Sequence, residues 1–289
     1  AVFEGIEVSS LVRKELACGL GSAEVGVNDV VWVGGRRFAE SEKPSHLIHW
    51  GEWQPVEKAL WYGTRNTRTR TVALQHSASS EMFLNYRFLP NELVREDYRT
   101  GDADAMPLPD LFASTGHYAV EAAIAGGFPP DRARVCGAIR YPGLVDLRRG
   151  NTDRGERDGL GLPGGRPVIL FVTASKRADN LSMLKAFGRA VADWQEGAPP
   201  IVIAKCHPFD PMEDLIREAL AEAAPDVYTK VFGTDVPLDE LLSTADVMVG
   251  NSSASGLEAL AAGVVPLFFH NPYVYDVSAL YSVTDAVFI

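Results

Sequence analysis

The chain has 289 residues, 46% of them apolar and 22% charged, so it can bury a sizeable core; at roughly 150 residues per domain, two domains are expected. Disorder along the whole chain and collagen-like or disulfide-stapled architectures are excluded. Its 38 acidic and 27 basic residues give a formal charge of -11, which argues against general nucleic-acid binding but leaves room for a local phosphate pocket.

Residues 46–50 and 71–75 have strand character, and between them 54–62 reads as a helix with Pro55 near its start. Residues 110–114 form a third strand, 117–126 a helix closed by glycines, and 134–138 the last strand of the first half. The run RRGNTDRGERDGLGLPGG, within 142–166, is the best linker candidate. The expected organisation is therefore a lobe over 1–141, a linker over 142–166 and a second lobe over 167–289. In that second lobe 168–173 is a continuous apolar run of strand length, the pattern of a strand covered on both faces. Leu181, Leu184, Phe187, Val191 and Trp194 follow at helical spacing. Then come a strand at 201–204, a helix that Pro211 can open, a strand at 227–232 and a short helix at 238–242. A strand at 246–249, a helix at 254–262 ended by Gly263 and a strand at 265–269 complete the pattern.

Such alternation implies parallel crossovers, hence two Rossmann-like α/β lobes with doubly wound sheets and a cleft between them. Ligands in these sheets sit beyond the carboxyl ends of the strands, which directs attention to the loops after Thr173, Ala204, Phe232 and Val249.

Cys18, Cys136 and Cys206 are widely spaced, and an odd count leaves at least one thiol unpaired in a monomer. A reduced, cytoplasmic setting is expected. No apolar run reaches the roughly 18 residues of a membrane helix, so no integral membrane segment is expected. The start, AVFEGIEVSS, lacks the features of a secretion signal. The chain begins without Met and stops at a strand-like run, Ala286 to Ile289, so we expect it to be truncated at both ends, with part of a site outside it.

Lys205-Cys206-His207-Pro208 follows the strand IVIA directly. A Lys and a His released together at a strand's carboxyl end place a cation and a hydrogen-bond donor where a nucleotide phosphate can lie, and Pro208 stiffens the turn. The alternative is a solvated loop in which His207 caps the next helix. Gly250-Asn251-Ser252-Ser253-Ala254-Ser255-Gly256-Leu257-Glu258 also follows a strand. Ser252, Ser253 and Ser255 suit phosphate contact at a helix start, where the dipole favours an anion, or serve as N-caps alone. Glu258, about one turn in, can accept hydrogen bonds from ribose hydroxyls or close a capping box.

The ordered combination of K-x-H-P, then strand, S-S, E-A-L and Gly-Val-Val-Pro resembles the nucleotide-binding lobe of GT-B glycosyltransferases. It is most similar to the bacterial surface-polysaccharide types: sialyltransferases, Kdo-type transferases and CDP-glycerol glycerophosphotransferases. Upstream, WGEWQPVEKAL from Trp50 and ALQHS from Ala73 are similar to a family of surface carbohydrate biosynthesis proteins. The resemblance implies that the second lobe binds a nucleotide-activated donor and the first receives a glycan or lipid-linked acceptor. Lys205 and His207 would then meet the donor phosphates, with Pro208 shaping the turn. Ser252, Ser253 and Ser255 would add hydroxyl and amide contacts, and Glu258 would approach the ribose.

A catalytic base is then expected from the first lobe, since an acceptor hydroxyl is a poor nucleophile until its proton is taken. His76, after the strand TVALQ, is the first candidate: an imidazole titrates near 6.5, which suits proton transfer at neutral pH. In the glycerophosphotransferases a similarly placed His in a W-H-G-type turn is catalytic; Ser77 stands here in place of that Gly. The alternative is a histidine hydrogen-bonded inside its loop. Glu52 is the second candidate, although the acidic D-D/E-G motif of the sialyltransferase types is missing and Asp158-Gly159 falls in the linker. Glu57 is expected as a surface charge at a helix start. Trp50 and Trp53 are read either as sugar-stacking platforms or as packing. Arg65, Arg68 and Arg70 can hold an anionic acceptor or touch an anionic membrane surface, or simply be solvated. His270 and Tyr273 are read as edging the donor pocket.

No DxD or grouped metal-ligand spacing occurs, so neither a metal nor another cofactor is expected. Walker and G-x-G-x-x-G loops are missing, which removes kinase and dehydrogenase readings. Retaining GT-B enzymes place a second Glu eight residues before the position of Glu258; Gly250 is there, favouring inversion. The expectation is an inverting, metal-independent transferase that moves a sugar or polyol phosphate to a surface glycan, cytoplasmic or peripheral at the inner membrane face. Two rivals stand beside it: a UDP-sugar 2-epimerase of the same fold, whose Ser-Gly-Gly-x-x-Glu-Glu pattern is not matched, and a non-catalytic nucleotide-binding module.

Overall fold

The computed structural model describes residues 2–3, 6–7, 9–77, 84–86, 88, 93, 106–139, 157–195, 197–251, 254–269 and 287–288. It divides into two compact units, one of Ala1–Ser77 with Leu84–Ala138 and the other chiefly Ile139–Ile289.

In the first unit a short antiparallel ribbon, β1 (Val2–Phe3) and β2 (Ile6–Glu7), leads into α1 (Ser9–Leu20) and α2 (Ala23–Ser41). The sequence reading named no element here because neither helix carries a clean apolar stripe: Leu16, Leu20, Val27 and Val30 all face solvent. The alternating part follows: β3 (His46–Trp50), α3 (Pro55–Thr64), β4 (Arg70–Leu74), β5 (Leu111–Ser114), α4 (His117–Ala125) and β6 (Ala133–Val135). The four strands pair in parallel in chain order. Register aligns Trp50 with Leu74, and Leu74 with Ala113. The turns after these strands therefore gather at one end of the sheet. The last strand is shorter than expected: Gly137 takes φ 82°, a left-handed conformation that ends the extended run. Helix α3 lies close on α2 because Gly63 has no side chain; a Cβ there would meet the Trp32 carbonyl oxygen at 2.4 Å.

In the second unit the strands are β7 (Val168–Val172), β8 (Ile201–Lys205), β9 (Thr229–Phe232), β10 (Val247–Gly250), β11 (Val265–Phe268) and β12 (Val287–Phe288). Between them run α5 (Arg177–Ala192), α6 (Glu213–Ala223), α7 (Leu238–Thr244) and α8 (Ser255–Ala261). All pair in parallel in the order β12-β11-β10-β7-β8-β9. From β7 the chain builds outward to β9, then returns to the far side of β7 with β10. The carboxyl ends of β7 and β10 thus flank the point where the strand order reverses, where open α/β sheets hold their ligands.

Both faces of this sheet are covered, as the unbroken apolar runs require. Leu170, Ile203 and Met248 pack on one side with Leu241, Leu242 and Ala259 from α7 and α8. Phe171, Val202 and Val249 pack on the other with Met183, Phe187, Ile216 and Leu220 from α5 and α6. Residues 157–166, read above as the end of a linker, are packed on this unit. Leu160 and Leu162 are buried in its core, and Arg157 pairs with Asp246 at 3.0 Å. Helix α6 begins at Glu213, two residues after the Pro211 expected to open it.

Candidate functional site

In the first unit the turn after β3 carries Glu52, and its shape is set by three local constraints. Gly51 passes so close to β4 that a Cβ would lie 2.5 Å from that of Ala73. Trp53 adopts φ 60°, a left-handed conformation costly for a non-glycine residue. Its indole offsets that cost by burial, packed edge-on against Trp61, Phe88, Phe112 and Phe128. Trp53 is therefore packing, not a platform. The third constraint is a capping box in which Glu57 accepts the amides of Glu52 (2.8 Å) and Gln54 (3.1 Å). This corrects the expectation for Glu57: it is a buried cap, not a surface charge, and burial pushes its carboxyl above the usual range.

The turn aims Glu52 at the neighbouring one. Only 7% exposed, Glu52 accepts through Oε1 the amides of His76 and Ser77, both at 2.9 Å. Through Oε2 it accepts the Tyr86 hydroxyl at 2.8 Å. Burial, with Glu52 and Glu57 nearby, drives the Tyr86 phenol far upward, so it stays a donor. His76 Nδ1 lies 2.7 Å from Glu52 Oε1, in contact though not aligned for a fully directed hydrogen bond. The two candidate bases are thus partners. Glu52 is enclosed by its donors, whereas the His76 side chain is 42% exposed. A carboxylate at Nδ1 favours the proton there and leaves Nε2, 3.3 Å from Ser77 Oγ, as the basic nitrogen. Trp50, 66% exposed, places its ring 5.9 Å from that of His76.

Gln75, which the sequence reading passed over, ties this turn to the one after β5. Its Nε2 donates to the Ser77 carbonyl (2.8 Å), while its Oε1 accepts Ser114 Oγ (2.6 Å) and the Thr115 amide (3.1 Å). A polar residue directly before His76 was the available signal; Tyr86 had none, being outside every patterned element. The three arginines do not act together. Arg65 stacks on the Tyr62 ring at 3.7 Å, Arg70 faces Asp110 at 3.5 Å, and Arg68 is exposed.

In the second unit a pocket of about 430 Å³ opens at the strand ends, lined by Thr173, Lys205, His207, Pro208, Ser255 and Glu258 among others. Five predicted donor-site residues therefore gather in one place; Ser252, Ser253, His270 and Tyr273 lie outside the described residues. His207 Nδ1 accepts the Phe209 amide (3.2 Å), which puts the proton of a neutral ring on Nε2. Its own amide donates to Thr173 Oγ1 at 2.8 Å. Asp210, buried, braces the same turn: its amide donates to the His207 carbonyl, and its carboxylate accepts Asn180 Nδ2 (3.0 Å) and faces Arg177 (3.2 Å). Asn180 in turn exchanges two hydrogen bonds with the backbone of Ala174. Asn180 and Asp210 were missed because each is an ordinary polar residue until the fold buries it. Helix α8 starts at Ser255, with Ala254 ahead of it and no side-chain cap.

The Lys205 ammonium donates to the carbonyls of Gly233 (3.0 Å) and Val236. The reach of the side chain carries it across to the loop after β9, and burial lowers its pKa.

No family model matches the chain, and no curated protein matches it. Solved structures do: Acinetobacter baumannii MurG is similar with a TM-score of 0.56 at 14% identity, over 93% of this chain and 66% of that one. The fold is GT-B-like. S. aureus MnaA, solved with UDP, gives a TM-score of 0.54 at 14% identity, over 86% of this chain and 64% of that one. Neisseria meningitidis UDP-GlcNAc 2-epimerase, bound to UDP-GlcNAc, gives 0.53 at 11% identity, over 84% and 63%. The chain thus spans 66% or less of the length of these three structures, and at such identities the likeness is one of fold. Among the described residues no helix is long and apolar enough to cross a membrane.

Proposed function

We propose that the protein is a nucleotide-sugar-dependent glycosyltransferase, inverting and metal-independent, that transfers a sugar or polyol phosphate to a surface glycan acceptor. The observation that carries this reading is the contact of buried Glu52 with Nδ1 of a half-buried His76. A fixed carboxylate–imidazole pair is suited to taking a proton from a hydroxyl. His76 is the base and Glu52 the group that orients it. Nε2 accepts the acceptor hydroxyl's proton as its oxygen attacks the activated carbon (the phosphorus, if a polyol phosphate is transferred). The bond to the nucleotide phosphate breaks, and the nucleotide leaves with the electron pair. In the second unit the donor's phosphates meet His207 Nε2–H, with Ser252, Ser253 and Ser255 adding contacts, and Glu258 takes the ribose. Three unpaired cysteines accord with the cytoplasm. A lipid-linked acceptor would bring the enzyme to the inner membrane face.

The test is calorimetric titration with CMP, CDP, UDP and GDP on the wild type and on His207→Ala, then nucleotide release from the corresponding donor by His76→Ala. One nucleotide should bind, weaken in His207→Ala, and remain bound by His76→Ala while turnover is lost. A wild type that binds none of the four would refute the reading. The fold match to the N. meningitidis UDP-GlcNAc 2-epimerase supports a second one. If UDP-GlcNAc is converted to its 2-epimer without any acceptor, that second reading replaces the first.

A further inference from the structure

Lys205 ends β8, where the register sets it beside Phe232, the last residue of β9. Its side chain runs from there across the connection between β9 and α7. Nζ donates to the carbonyls of Gly233 and Val236, and Asp235 in the same loop adds Coulombic attraction. The loop is five residues long, GTDVP, and delivers Leu238 to the wall of the pocket. At Gly233 the backbone is close to Asp235, whose Oδ1 would lie 2.8 Å from a Cβ. Two of the three N–H donors of the ammonium are thus directed into the loop. A phosphate that drew the Lys205 ammonium off the loop would strip both carbonyls of their charged donor.

The polar groups in the pocket divide accordingly. His207, Ser255 and Glu258 stand on the side of the β8 and β10 turns, suited to phosphate and ribose. Leu238, carried by the strapped loop, offers an apolar surface suited to the flat face of a nucleobase. We infer that Lys205 is a positioning residue that holds the 233–237 loop as the wall against which the nucleoside end of the donor rests, and that it is not a phosphate ligand. This rests on the proposed binding of a nucleotide-activated donor in the same pocket. It assigns donor selection to a loop whose conformation depends on one side chain.

The experiment is titration of the full chain with UDP and CDP at low and high ionic strength, on the wild type, Lys205→Met and Lys205→Gln, with thermal melts to check folding. Met matches the length of the stem without a donor, whereas Gln is neutral but can still donate to a carbonyl. Affinity should fall roughly tenfold in Lys205→Met, equivalent to about 1.4 kcal/mol, and recover at least in part in Lys205→Gln. The ratio of low-salt to high-salt affinity should be the same in all three proteins, because no charge has been taken from the phosphates. A shrunken salt ratio in both variants, or an unchanged affinity in Lys205→Met, would overturn the inference while leaving nucleotide binding intact. If the wild type itself binds neither UDP nor CDP at either salt, the underlying reading fails and this one with it.

Discussion

Replacing Glu52 by Gln removes one charge and keeps the shape. In the wild type Oε1 accepts the His76 and Ser77 amides and lies 2.7 Å from His76 Nδ1. In Glu52→Gln the remaining carbonyl oxygen can keep the two amides, so the new NH₂ faces Tyr86. The phenol oxygen can accept from it and redirect its own proton to the Gly51 carbonyl, already 3.3 Å away. Folding should therefore change by only about 1–2 kcal/mol. What is lost is the negative charge at Nδ1, and with it the preference for the tautomer that leaves Nε2 basic. Loss of the attraction between this charge and the imidazolium that forms as Nε2 takes the proton should lower turnover roughly 10- to 100-fold, about 1.4–2.8 kcal/mol of barrier, at unchanged nucleotide affinity. The assay is nucleotide release from the donor identified by titration, read beside urea unfolding. If Glu52→Gln keeps turnover within about threefold of wild type while His76→Ala abolishes it, the carboxylate does not orient the imidazole and the dyad is only structural.

Four further outcomes follow from the same contacts. Gly51→Ala, whose Cβ would press on Ala73 at 2.5 Å, should destabilise the first unit by about 1–3 kcal/mol in urea and displace Glu52, lowering turnover as well. Trp53→Ala empties the aromatic cluster and should cost about 3–5 kcal/mol; a loss below 1 kcal/mol would mean the left-handed turn holds without it. Asp210→Ala leaves buried Asn180 without its carboxylate acceptor, while the backbone bond to the His207 carbonyl stays, so a loss of about 1–3 kcal/mol in stability should be read in urea. His49 is held neutral, accepting Trp61 Nε1–H at 2.7 Å, and burial lowers its pKa. The unfolded chain then takes up the proton more readily, so this contribution is complete above about pH 6.5 and is lost as pH falls below it. Urea midpoints measured from pH 7.5 to 5.5 should drop more in wild type than in His49→Phe.

Much of the fold was legible because β7, β8 and β10 of the second unit are covered on both faces and announce themselves as apolar runs, while α5 carries its apolar residues at helical spacing. The candidate residues were legible where a strand ends: His76 after β4, Lys205 as the last residue of β8 and His207 just beyond it. Parallel pairing then forces such ends together whatever their separation in sequence. Less could be read where the pattern weakens. Helices α1 and α2 bury no continuous stripe, and Leu160 and Leu162 looked like linker until the second core enclosed them.

What the sequence determined by itself was the α/β alternation, the end of each sheet that carries the turns, and which residues stand there. Tertiary structure alone decided their roles. Glu52 and His76, 24 residues apart, became one dyad because β3 and β4 are neighbours with aligned ends. Glu57 became a buried cap because the turn before α3 needed an acceptor, and Lys205 became a strap because two loop carbonyls lay within its reach. A side chain's chemistry is written in one dimension, but its partner is chosen by distance in three, and it is the partner that sets one carboxylate against an imidazole, makes another a cap and ties an ammonium to a loop.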